Sequence, residues 1–170
     1  QLGRLLRNTL LLVFGVGVCV TLLGVSLAWL TAMCDFPGRR WLDWALMLPL
    51  AVPSYVLAFV ALGLLSYSGP VQTLWRDTFG VGVWFPNVRG PGGVIFVLSM
   101  VLYPYVYMLA RGALLSQGRG LMDAAQLLGR NPIKSFLLVA LPMPRPPIAA
   151  GVSLALMATL ADFGADSIFN

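Results

Sequence analysis

Histidine is absent from these 170 residues, and charge is scarce: 10% of the chain is charged, against 59% hydrophobic. The lack of histidine removes the usual general base at neutral pH and the commonest metal ligand. Cysteine is limited to Cys19 and Cys34, fifteen positions apart, which is no metal-ligand spacing. They read as free apolar packers. No cluster of carboxylates converges in the sequence either, so an enzyme is not expected, nor a metal site, nor a cofactor bound directly by the chain. The shortage of charge excludes an ordinary soluble domain, which carries roughly a quarter charged residues.

What is present is long uncharged runs. Leu10 to Met33 has no charge over 24 residues, Trp44 to Trp75 none over 32, and Gly92 to Ala110 none over 19. About 20 apolar residues span a bilayer as a helix, so each run holds a transmembrane candidate. A fourth run, Pro146 to Ala161, is 16 residues long before Asp162 interrupts it, and it spans only if the helix continues past the aspartate. The expected fold class is therefore all-α: a multi-pass membrane helix bundle with spans at about 9–33, 44–65, 92–114 and 147–168. The chain opens on Gln1 and stops at Asn170 inside what reads as an unfinished helix, so a piece of a longer chain, an incomplete single domain, is expected.

The net charge of +5 would suggest nucleic acid in a soluble protein. In a membrane protein it reads as topology, because Lys and Arg are retained on the cytoplasmic side. Four spans place Arg4, Arg7, Arg76 and Arg89 on one face. Arg39, Arg40, Arg111, Arg119, Arg130, Lys134 and Arg145 fall on the other. The richer face is expected to be cytoplasmic, which makes 66–91 an outer loop and 115–146 a cytoplasmic one. No nucleic-acid partner is expected.

Several local features carry further expectations. Gly15, Gly17 and Gly24 with Ser26 and Ala28 let helices approach closely in lipid. Pro49 and Pro53 should bend the second span near one end, beside either a wet interior or a plain packed kink. Trp75, Trp84 and Phe85 suit a headgroup boundary, with a short helix around 70–79. Tyr103 and Tyr107 share a helix face around Pro104, and their hydroxyls need partners. They are candidates either for lining a path or for satisfied packing. Asp162 is a further path candidate, with an interfacial carboxylate as the alternative; a single aspartate does not define a metal site.

The segment MDAAQLLGRNPIKSFLLVALP, 122–142, is too polar for lipid and too long for a turn. Leu121 to Leu128 reads as a short helix with Asp123 in its first turn, where the helix dipole favours an acid. Ala124 and Ala125 would let another protein come close. Gly129 falls where a helix end needs a left-handed residue, and Asn131 and Pro132 cap and start a second helix. That helix runs to about 141, Pro142 stops it, and PMPRPP delays the fourth span to near Pro147. The result is a helix–corner–helix elbow at the membrane surface.

Asp123-Ala124-Ala125, three residues, Gly129, nine residues, then Val139-Ala140-Leu141-Pro142 resembles the EAA loop of ABC-importer permeases. That pattern is Glu-Ala-Ala, three residues, Gly, nine residues, Ile-x-Leu-Pro. Asp at 123 and Val at 139 depart from it, the aspartate being one methylene shorter. The likeness covers essentially the whole chain, through LLRNTLLLVFGVGVCVTLLGVSLAWL, FPGRRWLDWALMLPLAVPSYVLAF, LYPYVYMLARGALL and ATLADFGADSIF. It is best to the first half of ferric-iron-type permeases. The resemblance implies a type I importer permease in the bacterial inner membrane and further helices on both sides of the chain. It also implies a second permease half, fused or separate. The partners it implies are a periplasmic substrate-binding protein and a cytoplasmic ATPase dimer that uses the ATP. Asp123, Ala124, Ala125 and Gly129 would form the docking helix and corner, and Leu141 and Pro142 would close the second helix. Ferric iron is the implied cargo. Thiamine, phosphonate, sulfate and polyamine permeases are related, and a secondary transporter or channel or a helix-packing scaffold are the competing readings.

Overall fold

A computed structural model describes residues 2–80, 82 and 90–169, the side chains of 117–119 and 162–169 excepted. Trp84, Phe85, Arg89 and the Asp162 side chain lie outside the described residues. Among those described the chain is helical, with no strand.

Helix α1 (Leu2–Met33) is a single 32-residue rod. After the Pro37-Gly38 turn comes α2 (Arg39–Met47), begun at Gly38 with φ +86. The expected second span over 44–65 is not one rod. A 3-10 turn at Leu48–Ala51 and an extended Val52 (φ −113, ψ 137) separate α2 from α3 (Ser54–Leu65). Pro49 removes a backbone donor, and Pro53 pushes the residue before it out of helical conformation; together they break the helix instead of bending it. After a four-residue turn, α4 (Pro70–Phe79) follows, the helix expected near 70–79. Helix α5 (Pro91–Ala113) keeps Pro104 in its interior and passes through a π-helical turn, Leu114–Gly118, into α6 (Arg119–Leu127). Next come α7 (Pro132–Ser135), a second π-helical turn at Phe136–Ala140, and α8 (Arg145–Phe169).

The fourth long helix thus starts at Arg145, before the expected Pro147. Pro146 and Pro147 fall in its first turn, where a missing N–H removes no intrahelical bond, and Ile148 N donates to Pro144 O at 2.8 Å. Among the described residues three stretches are long and apolar enough to cross a membrane: Leu2–Met33, Ser54–Phe79 and Pro91–Ser116. A fourth, Pro132–Ala140 with Arg145–Ala161, qualifies only as a pair bent by 76°.

Helix α5 is the centre post. In its most apolar stretch 61% of residues are buried, against 22% in α1 and 6% in Ser54–Phe79, so α1 and α8 enclose α5 while α3 and α4 stay peripheral. Val16, Val20, Leu98, Leu102, Val106 and Ala155 form the central packing layer. Both partners cross α5 at Val106. A Cβ on Gly24 would lie 2.7 Å from Val106 Cβ, and one on Gly151 would lie 2.8 Å from Val106 Cα. Small residues at these crossings are what brings helix backbones together where lipid offers no hydrophobic drive. Gly15 and Gly17 face Ile95 and Leu156 in the same way, with flexible side-chain tips as neighbours.

Candidate functional site

One end of the bundle gathers the elbow, the close of α1, the whole of α2 and the close of α5. A second packing layer there joins Ala28 and Ala32 of α1, Tyr103, Tyr107 and Ala110 of α5, and Met122 and Ala140 of the elbow. Leu46 and Met47 of α2 pack on it from the side. The segments 34–43 and 111–145, grouped by their basic residues, therefore meet in space.

The elbow is built as its residues direct. Helix α6 ends in paired closing bonds, Gly129 N to Gln126 O at 2.9 Å and Arg130 N to Ala125 O at 3.2 Å. This is the Schellman arrangement, which needs a left-handed residue at the corner. Gly129 supplies it with φ +78. The Asn131 side chain then accepts from Ile133 N at 3.3 Å, and Pro132 opens α7. The π-helical turn closes with Leu141 N donating to Phe136 O at 2.8 Å.

Which side chains face outward follows from the helical period. Met122 and Ala125, three apart, are buried at 6% and 7% exposure, whereas Asp123, Ala124 and Gln126 are exposed. Ala125 was expected to admit a partner, but its side chain is buried and so faces away from the exposed side of α6. Leu127 and Leu128 are 89% and 84% exposed, and Ile133, Leu137 and Leu138 are exposed as well. A groove of about 680 Å³ runs between Gly129, Arg130, Asn131, Lys134, Leu137 and Leu138. The outer side of the elbow is thus apolar with a basic rim. On the inner side Phe136 packs against Trp29 of α1 with ring centroids 4.9 Å apart and ring planes tilted by 49°. Leu141 and Pro142 are half-buried, Leu141 against the central layer.

The two tyrosines lead to residues that sequence reasoning missed. Tyr103, Tyr107 and Arg111 stand at i, i+4 and i+8 on α5, and all three reach α2. The Tyr103 hydroxyl donates to Leu46 O at 3.0 Å. Tyr107 donates to Asp43 Oδ1 and is hydrogen-bonded to Thr31 Oγ1 of α1 at 3.1 Å. Arg111 Nη2 pairs with Asp43 Oδ2, the two side chains being 20% and 19% exposed. Both tyrosine hydroxyls are thereby occupied inside the bundle, as the packing alternative requires; lining a path would require them to change partners. No group of three or more metal-ligating side chains occurs among the described residues. The Tyr103 tie contributes about 1 kcal/mol net and each tie to the Asp43 carboxylate about 1.5–3 kcal/mol, the size of change that a binding event can exchange.

Residues 20–168 match the family described as binding-protein-dependent transport system inner membrane component. The chain belongs to that family. Among its relatives, the probable sulfate transport system permease protein cysT of Nephroselmis olivacea is 31% identical over 141 residues, 83% of this chain and 48% of that protein. The molybdenum transport system permease protein ModB of Escherichia coli (strain K12) is 32% identical over 146 residues, 86% of this chain and 62% of that protein. The Fe(3+)-transport system permease protein FbpB 2 of Haemophilus influenzae is 29% identical over 174 residues, all of this chain and 30% of that protein. The chain thus spans between 30% and 62% of these relatives' lengths. Their names are those of transport permeases, in line with the non-enzymatic reading, and they divide between sulfate, molybdenum and Fe(3+).

Proposed function

We propose that this chain is the membrane-spanning part of a permease subunit in an ATP-driven, binding-protein-dependent importer, and that its elbow couples a cytoplasmic ATPase to the helices. The observation that carries this reading is the outer face of the elbow. Leu127, Leu128, Leu137 and Leu138 stand exposed beside Arg130 and Lys134, on a capped corner whose inner face is packed into α1 and α5. An exposed apolar patch rimmed by charge marks an interaction surface, and the capped, polar corner that carries this one suits a protein partner better than lipid. A displacement of that patch would reach the bundle through Phe136 on Trp29 and through Met122, a member of the packing layer that also holds Ala28 and Tyr107. Asp123, Ala124 and Gly129 belong to the docking side, Ala125 to the inner side, and Leu141 and Pro142 to the joint with α8. The basic segments assembled at this end support a cytoplasmic location for it.

Ferric iron is the proposed cargo, supported by the similarity to the Haemophilus permease along the full chain. The sulfate and molybdate relatives make a tetrahedral oxyanion the second reading. Tyr103, Tyr107 and Asp162 remain the candidates for a path. The test uses the full-length permease reconstituted with its ATPase and binding protein. With Gln126→Cys on the exposed side of α6, a cysteine on the ATPase surface should crosslink to it, and uptake should require ATP. Labelling of Gln126→Cys by an impermeant reagent from outside intact cells would overturn the arrangement. Uptake of radiolabelled iron, sulfate or molybdate then separates the cargos.

A further inference from the structure

Helix α2 is a nine-residue rod between two joints. At one end Gly38 takes φ +86, and at the other the 3-10 turn and extended Val52 interrupt the chain. It contributes no fully buried side chain. What fastens it to α5 is the polar ladder: Leu46 O to Tyr103, and Asp43 to Tyr107 and Arg111. Its first residue is tied elsewhere, Arg39 pairing with Asp35 and donating through Nη2 to Ala32 O of α1 at 3.2 Å. The Gly38 end is thus anchored to α1, while the 43–47 end is held by exchangeable polar contacts beside the partly buried packing of Leu46 and Met47. The fastening is also incomplete, because Arg111 Nε is buried without a hydrogen-bond partner. Arg111 stands three residues before the π-helical turn that leads into the elbow, and π-helical turns recur at functional sites. Leu46 and Met47 pack on the layer that contains Met122 and Ala140 of the elbow.

We infer that Asp43 and Arg111 are the two halves of a latch, closed here, which parts as α2 swings about Gly38 each time the elbow is displaced. This rests on the permease reading above and adds to it the element that the elbow moves. A charged pair and two hydrogen bonds suit such a part because packed interfaces have discrete arrangements and do not deform continuously. Asp43 and Arg111 act as positioning residues; neither has to touch cargo.

The experiment uses the complete transporter in liposomes, with Cys19→Ala and Cys34→Ala as background. Asp43→Cys with Arg111→Cys, bridged by a short reducible thiol crosslinker, should lose uptake and regain it on reduction. Full uptake by the bridged carrier overturns the latch. Should the unbridged double variant not insert or not transport, the ladder is left intact and spin labels are placed at Trp44→Cys on α2 and Met108→Cys on α5, both exposed. The distance between labels should show a second, longer population in the ATP-trapped state. A single unchanged population overturns the latch. If the unmodified assembly shows no ATP-dependent uptake, the permease reading itself fails and the latch falls with it; uptake with an inert latch leaves that reading standing.

Discussion

Two glycine-dependent places in this molecule need glycine for opposite reasons. At the crossing on Val106, Gly24 and Gly151 have ordinary helical backbone and no room: a Cβ would sit 2.7 Å from Val106 Cβ at one and 2.8 Å from Val106 Cα at the other. At the elbow, Gly129 has open space on every side, nothing lying within 4 Å of its Cβ position, but a backbone at φ +78. The crossing is held by contact and the corner by conformation. A bundle assembled by close backbone approach resists bending, while a corner defined by one dihedral and two closing bonds can stand clear of the membrane as a stiff projection. The division of labour between static core and projecting elbow is therefore visible in the kind of constraint each glycine meets.

The largest effect is expected at the crossing. Gly151→Ala places a methyl against backbone atoms, Val106 Cα at 2.8 Å and Tyr105 O at 3.0 Å, which no side-chain rotation relieves. Overpacking of this kind costs about 1–3 kcal/mol. Gly24→Ala should cost nearly as much, since Val106 Cβ and Tyr107 N both stand in the way. Gly15→Ala meets only the Ile95 side-chain tip and should cost less. Thermal unfolding in detergent should rank the three in that order. Equal midpoints for Gly151→Ala and Gly15→Ala would show that the helices separate freely at Val106.

The elbow was legible before any coordinates because its signals are local. Helix formers, then Gly129, then Asn131-Pro132, each act on residues within one turn, and the structure places the corner and the cap on those residues. Tyr103 and Tyr107 were legible as one face for the same reason. Their partners were not. Asp43 and Arg111 are 68 positions apart, and each looks like an ordinary charge at the end of an apolar run; only tertiary packing makes them a pair. Even so, Asp43 is the last charge before 32 uncharged residues, a position that marks it as a carboxylate held near the membrane. The break between α2 and α3 was half legible, since two prolines announce a bend but not whether neighbouring helices keep the rod together. Ala125 is buried where exposure was expected, and Met122 three residues earlier already pointed to that side of α6 as the inward one.

A smaller effect, and of a different kind, is expected at the corner. Gly129→Val forces a β-branched residue into the left-handed region, at about 1–2 kcal/mol, while nothing nearby is crowded. The thermal midpoint of the bundle should hardly move, whereas uptake by the reconstituted transporter should collapse. Gly129→Asn should retain most of the uptake, because asparagine tolerates this backbone conformation. If the valine and asparagine variants transport equally, the corner's dihedral is irrelevant and the contrast with Gly24 and Gly151 dissolves.

The smallest effect should be at the cap. Asn131 holds one amide, Ile133 N at 3.3 Å, at the entry to a helix of only four residues before the π-helical turn. So short a helix has few internal bonds, and the cap matters to it more than to a long rod. Asn131→Ala should cost about 1 kcal/mol, felt locally, while Asn131→Asp should restore the acceptor and benefit from the positive helix end. Hydrogen exchange is the measurement that separates local from global loss: amides over 133–140 should exchange about fivefold faster in the alanine variant, with those of α1 and α5 unchanged. Acceleration spreading into α5 would mean that the elbow and the core unfold as one unit, and that the capped corner is an extension of the bundle with no independence of its own.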